Sequence, residues 1–175
     1  LGIATLNSLG MSGAVLQMFS HGIMTALFFA VVGFIYDRTH TRDATVLEGL
    51  AKRMGLTAAF FAVAGLTSMG LPGLSGFVAE LLVFLGLFQS HPVFGVLAIV
   101  GAAITAVYIL RLMAKVFFGQ LRPRWEGQTD VTWLEGLSSG VLVGFLLLVG
   151  LFPFPFIRVI DGSVASVLGR LAGLS

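Results

Sequence analysis

The fold is decided by the stretch Gly70-Leu71-Pro72-Gly73-Leu74-Ser75-Gly76-Phe77-Val78-Ala79-Glu80, which lies inside an apolar segment running from residue 54 to residue 90. A straight helix over that segment would be roughly 55 Å long at ~1.5 Å per residue, against a bilayer core of ~30 Å. Proline removes a backbone hydrogen bond, and glycine permits non-helical dihedral angles. The sequence therefore predicts a membrane-spanning helix that is broken at Gly70–Gly76.

The composition around this stretch is that of an integral membrane protein. The chain has 175 residues, of which 57% are hydrophobic and 10% are charged, and its mean hydropathy is +1.02. Soluble domains carry about 25% charged residues, so a soluble enzyme or a nucleic-acid-binding domain is excluded. The sequence contains no cysteine, which excludes disulfides, thiolate zinc sites and iron–sulfur clusters in this chain.

The remaining apolar segments predict an all-α protein with about four transmembrane helices. The spans are expected at about 13–36, 54–90 (the broken one), 93–118 and 136–157. The tail, 158–175, mixes charged and apolar residues as a short interfacial helix does. The sequence begins with Leu1, not Met, and no basic leader precedes the first apolar stretch. We therefore expect residues 1–175 to be the C-terminal part of one membrane domain of a longer subunit.

The basic residues predict the orientation in the membrane. Lys and Arg concentrate in the loops 37–53 and 119–135. If the broken segment crosses the membrane once, both loops lie on the same side; if it crosses twice, they lie on opposite sides. Basic loops favour the cytoplasmic side. The charge pattern therefore favours a single crossing, with both loops in the cytoplasm and the C-terminus outside.

Glu80 is the acidic residue that this scheme places inside a span, eight positions after Pro72. A carboxylate at membrane depth costs several kcal/mol unless it is neutral, paired or hydrated, and such residues are usually functional. One interpretation is a protonated carboxyl group that makes a structural hydrogen bond. The other is a carboxyl group that relays protons, and this is the hypothesis we favour.

His21 is the second candidate, within the first complete span. Its imidazole can pass a proton between its two nitrogens, whereas the alternative is a neutral histidine bonded to a neighbouring helix. No second ligand lies three or four residues away, so we expect no metal site. Arg111 and Lys115, one helical turn apart, are expected to anchor the span at the interface, with an accessory role in a proton path as the alternative.

The break has two interpretations as well. Helix breaks at membrane depth are tolerated where protein or water satisfies the freed backbone, and they recur at ion paths. The residues expected to produce it are Gly70, Pro72, Gly73 and Gly76. The alternative is a kink that improves packing. A further set of glycines at a four-residue period is most simply explained by helix packing: Gly136, Gly140 and Gly144, with Gly150 beyond.

Three segments together resemble the antiporter-like membrane subunits of respiratory complex I, the proton-translocating NADH–quinone oxidoreductase. They are Leu16-Gln17-Met18-Phe19-Ser20-His21-Gly22, Tyr36-Asp37-Arg38-Thr39-His40-Thr41-Arg42-Asp43, and the broken stretch from Gly70 to Glu80. At the position that Glu80 matches, the M type (subunit 4) carries a glutamate, whereas the L and N types usually carry a lysine. In this respect the chain resembles the M type. The resemblance implies helices 11–14 of a fourteen-span fold, with Glu80 as the terminal proton-path acid and His21 as the relay histidine.

The resemblance also implies partners and cofactors. The partners would be the L, N and K types of membrane subunit, the N-terminal helices of the same subunit and the lipid bilayer, with no nucleic acid. This chain would hold no cofactor or metal, and NADH, FMN, iron–sulfur clusters and quinone would belong to partner subunits. The expected location is a bacterial plasma (inner) membrane. A subunit of a multi-subunit cation/proton antiporter or membrane-bound hydrogenase, and a purely structural membrane subunit, remain alternatives.

Overall fold

A computed structural model describes residues 1–173, and in that range it contains helices and no strands, which confirms the all-α class. The α-helices are α1 (Ser8–Thr39), α2 (Gly55–Ser68), α3 (Ser75–Ser90), α4 (Pro92–Phe117), α5 (Trp133–Leu151) and α6 (Phe154–Leu171). Short 3-10 helices cover Ile3–Thr5, Leu50–Lys52 and Pro123–Trp125. Of the described helices, α1, α4 and α5 are each long and apolar enough to cross a membrane, whereas α2 and α3 are shorter apolar helices. The predicted broken span is this α2–α3 pair.

Helix α1 extends beyond the predicted span 13–36 at both ends. The side chain of Asn7 caps its start by accepting a hydrogen bond of 2.8 Å from the backbone of Gly10. Its end is marked by His40, whose φ of +51° lies in the left-handed region. Asn7 also donates to the carbonyl of Gly86 in α3 over 2.8 Å. One side chain therefore caps α1 and ties it to α3.

Close contact between α1 and α3 depends on glycine. A Cβ atom at Gly13 would lie 2.7 Å from the backbone nitrogen of Val83. A Cβ atom at Gly86 would lie 2.5 Å from the Cα of Gly10. Both distances are far shorter than real Cβ contacts, so the two helices cross with their backbones nearly touching. This crossing makes α1 the central helix, and α2, α5 and α6 also pack on it.

A hydrophobic core lies between α1, α2, α5 and the end of α4, next to the loops 37–53 and 119–135. Leu27, Val31 and Leu50 are completely buried there. The ring of Phe61 in α2 packs at 5.0 Å against Phe28 of α1 and at 5.0 Å against Phe117 of α4. Aromatic pairs at such distances add to the burial energy, which fixes the first half of the broken helix against its neighbours.

The last predicted span and tail differ from the observed helices. Helix α5 ends at Leu151, six residues before the predicted boundary at residue 157, and α6 begins at Phe154 rather than at residue 158. Pro153 has no backbone N–H to continue α5, so the chain turns there. Helix α6 then packs back on α1, where the Ser12 hydroxyl donates to Asp161 over 2.5 Å. Residues 174–175 of the predicted tail lie outside the described range.

Candidate functional site

The break begins with a glycine-dependent stop at the end of α2. The N–H of Leu71 donates to the carbonyl of Leu66 over 3.0 Å, and the N–H of Gly70 donates to Thr67 over 3.1 Å. This is the Schellman arrangement, in which the residue after the cap adopts a left-handed conformation. Gly70 does so with φ +68°. Pro72 follows directly, and its ring prevents the helix from resuming at once.

The second half of the broken helix starts against the end of the first half. A Cβ atom at Gly76 would collide with the carbonyl oxygen of Thr67, so the first turn of α3 packs directly on the last turn of α2. Gly73 bends the connection with φ +94°. The carbonyl end of one helix and the amide end of the next, each carrying a partial charge, therefore meet at one place.

Helix α5 supports this connection from the side. A Cβ atom at Gly150 would lie 2.5 Å from the Cα and from the carbonyl carbon of Leu74, and still closer to the carbonyl oxygen of Gly73. By contrast, a Cβ atom at Gly140 or Gly144 would meet nothing within 4 Å in the described part of the chain. Of these three glycines, only Gly150 is used in packing within residues 1–173.

Glu80 lies in the second turn of α3 and reaches back to the break. A Cβ atom at Gly70 would lie 2.5 Å from Oε2 of Glu80, so the carboxyl group rests against the bare glycine backbone. The side chain is half-buried and lines an open cleft of about 420 Å³ between α3 and α4, with Phe94 and Thr105 on the opposite wall. Within residues 1–173 no ion pair or side-chain hydrogen bond engages this carboxyl group.

His21 lies on the exposed side of α1, and its Nδ1 is 3.3 Å from the hydroxyl of Thr25 on the same helix. It lines a second open cleft of about 410 Å³, together with Gln17, Val83 and Leu1. Leu1 also lines the cleft of Glu80. The two candidate residues thus line separate clefts that have one lining residue, Leu1, in common, and no ion pair joins them.

Arg111 and Lys115 lie apart from these clefts. Both are exposed on α4. Lys115 lines a separate cleft near the loops, together with Glu48 and Arg122. The structure therefore brings Glu80 and the break together. His21 lines a different cleft, and Arg111 and Lys115 lie apart from both residues. Among residues 1–173, no group of three or more His, Asp and Glu side chains is arranged to hold a metal ion.

A carboxylate far away in the sequence caps the first half of the broken helix. Met54, at the start of α2, provides no side-chain cap. Instead Asp130, in the loop before α5, accepts hydrogen bonds from the backbone of Leu56 (2.7 Å) and of Thr57 (3.1 Å), and from the Thr57 hydroxyl (2.8 Å). A negative charge at a helix N-terminus stabilises the unpaired amides there.

An ion pair holds this capping loop in place. Arg38, at the end of α1, contacts Glu135, at the start of α5, with a shortest distance of 2.6 Å. The same guanidinium donates to the carbonyl of Asp130 over 2.9 Å. Only 11% of the Arg38 side chain is exposed, so this pair is better shielded from solvent than a surface salt bridge. The sequence indicates neither the Arg38–Glu135 pair nor the Asp130 cap, because the partners lie 97 and 73 residues apart along the chain.

Both oxygens of the Asp130 carboxylate accept hydrogen bonds at the helix start. Replacing Asp130 by Asn removes the negative charge and one of these acceptors, and is expected to destabilise the helix start by ~1–2 kcal/mol. Burial of the Asp130 carboxyl opposes ionisation, but hydrogen bonds from Leu56, Thr57 and Val131 outweigh it and lower its pKa. Because the folded-state pKa is lowered, the stabilisation is complete above the ordinary Asp value of about 3.9 and is lost as pH falls through the lowered value. The measurement is the thermal stability of the assembled protein in detergent as a function of pH.

The matched control for that experiment is Asp37→Asn, the same change at an exposed acid near the end of α1. We expect Asp37→Asn to leave thermal stability unchanged at neutral pH. Equal effects of the two substitutions would show that Asp130 does not act as a cap.

Comparison with known proteins identifies the family. Residues 1–105, more than half of the chain, match the transmembrane family of the NADH:quinone oxidoreductase and Mrp antiporter subunits. The chain belongs to this family. The resemblance drawn from the three sequence motifs is therefore confirmed, and so is the classification as an integral membrane protein.

Individual relatives of the family extend this assignment over nearly the whole chain. A NAD(P)H-quinone oxidoreductase chain 4 of Synechococcus elongatus is 46% identical over 98% of this chain and 33% of its own length. An NADH-quinone oxidoreductase subunit M of Rickettsia prowazekii is 35% identical over 96% of this chain and 34% of its own length. The chain thus spans about a third of the length of the relatives that it matches.

A solved structure agrees in fold. A chain of respiratory complex I from Thermus thermophilus with bound NADH matches with a TM-score of 0.88 and 29% identity. The match covers 97% of this chain and 36% of that one. This confirms the antiporter-like fold that the sequence motifs implied.

Proposed function

We propose that this chain is the C-terminal portion of a proton-translocating membrane-arm subunit of an NADH–quinone oxidoreductase. The observation that carries the proposal is the position of the Glu80 carboxyl group, which lies against Gly70 in an open cleft beside a broken helix. An ionisable group at membrane depth without an ion pair or a hydrogen bond costs free energy unless water reaches it. Water beside a titratable group is also what proton transfer requires.

In this proposal each residue has a defined task. His21 relays protons along α1, and Glu80 binds and releases them near the outward exit. The break supplies backbone groups that water can contact, because the connection 69–74 lies outside the regular hydrogen bonding of α2 and α3. The driving force arrives through neighbouring L-, N- and K-type membrane subunits. NADH, FMN, iron–sulfur clusters and quinone belong to other subunits of the complex.

The proposed orientation places both basic loops in the cytoplasm and the C-terminus outside a bacterial inner membrane. Contacts between the loops 37–53 and 119–135 support this proposal. Arg122 pairs with Glu48 at 3.2 Å, and the indole N–H of Trp125 donates to the carbonyl of Val46 over 3.1 Å. The two loops therefore lie at the same end of the helices, as a single crossing of the α2–α3 pair requires. The positive-inside rule then favours the cytoplasm for that end.

Replacing His21 by Leu in the whole complex tests the proposal against a purely structural role. Leucine keeps the bulk of the side chain but cannot bind a proton, so we expect fewer protons translocated per electron while the amount of assembled complex is unchanged. The measurement is NADH-driven acidification of vesicles together with NADH oxidation. Ala26→Leu, at another exposed position of α1, is the control and should pump normally. Normal pumping by His21→Leu would favour the structural subunit.

A further inference from the structure

Two buried hydroxyl groups join the helix of His21 to the helix of Glu80. The Oγ atoms of Ser20 and Ser75 lie 2.6 Å apart, and either can be the donor. Each residue is only 1% exposed. A hydrogen bond between two buried groups is protected from competition with water. Leaving one of the two hydroxyl groups unpaired there costs free energy of folding.

The pair joins α1 to the first residue of α3. Ser20 directly precedes His21 on α1. Ser75 is the first residue of α3, immediately after the non-helical connection 69–74, and its N-cap residue Leu74 makes no side-chain cap. The first turn of α3 therefore begins without a capping side chain of its own, and the Ser20–Ser75 bond attaches it to the central helix.

We propose that the Ser20–Ser75 pair is a positioning element that holds the first turn of α3 on α1 and thereby keeps the Glu80 carboxyl group against Gly70. Glu80 lies five residues after Ser75 on the same helix, so any shift of that turn moves the carboxyl group. Within residues 1–173 neither hydroxyl makes a second side-chain hydrogen bond. Each hydroxyl therefore has the other as its side-chain partner, which suits a support that joins two helices.

The first test measures the reactivity of Glu80 and does not depend on pumping. In the whole complex, the rate at which a hydrophobic carbodiimide modifies Glu80 is followed by peptide mass spectrometry. We expect Ser20→Ala and Ser75→Ala to raise this rate, because each removes the bond and leaves the other hydroxyl unpaired. The double variant removes the same bond and should raise the rate no further than either single variant. The expected increase is about fivefold, which is the ~1 kcal/mol of one hydrogen bond converted at 1.4 kcal/mol per tenfold.

Ser12→Ala is the matched control. Ser12 is also buried on α1, but its hydroxyl binds Asp161 on α6. Its loss removes a buried hydrogen bond of the same helix without touching the break, so the modification rate of Glu80 should not change. A rate that rises as much in Ser12→Ala as in the other variants would overturn the proposal, since any loosening of α1 would then suffice.

A covalent substitute for the bond provides a rescue. The two Oγ atoms lie 2.6 Å apart, so the side chains at these positions face each other. The double variant Ser20→Cys with Ser75→Cys is oxidised, and its disulfide is verified by peptide mass spectrometry before use. The chain has no cysteine of its own, so a disulfide within it can join only these two positions. We expect the oxidised variant to match the unmodified complex both in Glu80 reactivity and in the number of protons translocated per electron. We expect the double alanine variant to translocate fewer protons per electron.

Three outcomes separate this inference from the proposed function on which its pumping readout rests. Unchanged Glu80 reactivity in the double alanine variant overturns the positioning role. Loss of pumping in the oxidised cysteine variant, restored by a reductant, also overturns it, because the serines would then have to separate during turnover. Raised reactivity with unchanged pumping supports the positioning role and counts against proton transfer at Glu80.

Discussion

Glu80→Gln in the assembled complex is expected to abolish this chain's share of proton translocation while the complex still assembles. The amide has the size of the carboxyl group and fits the same place against Gly70, so packing is preserved. It cannot bind and release a proton at physiological pH. A positioned acid–base group typically contributes ~10²- to 10⁴-fold to a proton-transfer rate, so its loss should stop transfer on the timescale of turnover.

The measurement is the ratio of protons translocated to electrons transferred in vesicles, with NADH oxidation and the amount of complex recorded in parallel. Glu126→Gln, the same substitution at an exposed acid in the loop before α5, should leave the ratio unchanged. Glu80→Asp keeps the chemistry but withdraws the carboxyl group from Gly70, and should give a partial loss. An unchanged ratio in Glu80→Gln would refute the relay role.

The break could be predicted from sequence because its causes are local. Gly70 must adopt a positive φ, and Pro72 cannot continue the helix, so both act whatever lies around them. The hypothesis that Glu80 is functional rests on the cost of a charge in an apolar segment, which again needs no knowledge of neighbours. Signals carried by a few adjacent residues are therefore readable even without a structure.

The boundary between α5 and α6 was misplaced because hydropathy does not register a change of direction. Residues 152–157 are as apolar as the end of α5, so the predicted span continued through them. The chain turns at Pro153 because backbone geometry, not polarity, ends the helix. The folding of α6 back onto α1 depends on Ser12 and Asp161, which lie 149 residues apart.

The contacts that position the site could not be predicted for the same reason. Ser20 and Ser75 are 55 residues apart, and Asp130 caps Thr57 over a separation of 73 residues. A serine in a membrane helix is consistent with many partners, and an acid in a loop is ordinarily solvated. Only the three-dimensional arrangement shows that these polar residues make hydrogen bonds to the two halves of the broken helix.

Gly150→Ala is expected to be the most damaging small substitution in α5. Its new methyl group would lie 2.5 Å from the Cα and the carbonyl carbon of Leu74. These are backbone atoms that cannot rotate away, so either α5 or the connection 69–74 must move. Overpacking of this kind costs ~1–3 kcal/mol, and here the strain falls on the segment directly before Ser75. We expect less assembled complex, and in what assembles, greater reactivity of Glu80 towards carbodiimide.

Gly144→Ala provides the control, since it makes the same change on the same helix where nothing lies within 4 Å in the described part of the chain. The comparison is made on complex extracted from membranes, by its amount and by its temperature of dissociation. If Gly150→Ala and Gly144→Ala reduce assembly equally, the effect belongs to contacts of α5 with other subunits and not to the break. A loss confined to Gly150→Ala means that α5, through one glycine, sets the position of the connection on which Glu80 depends.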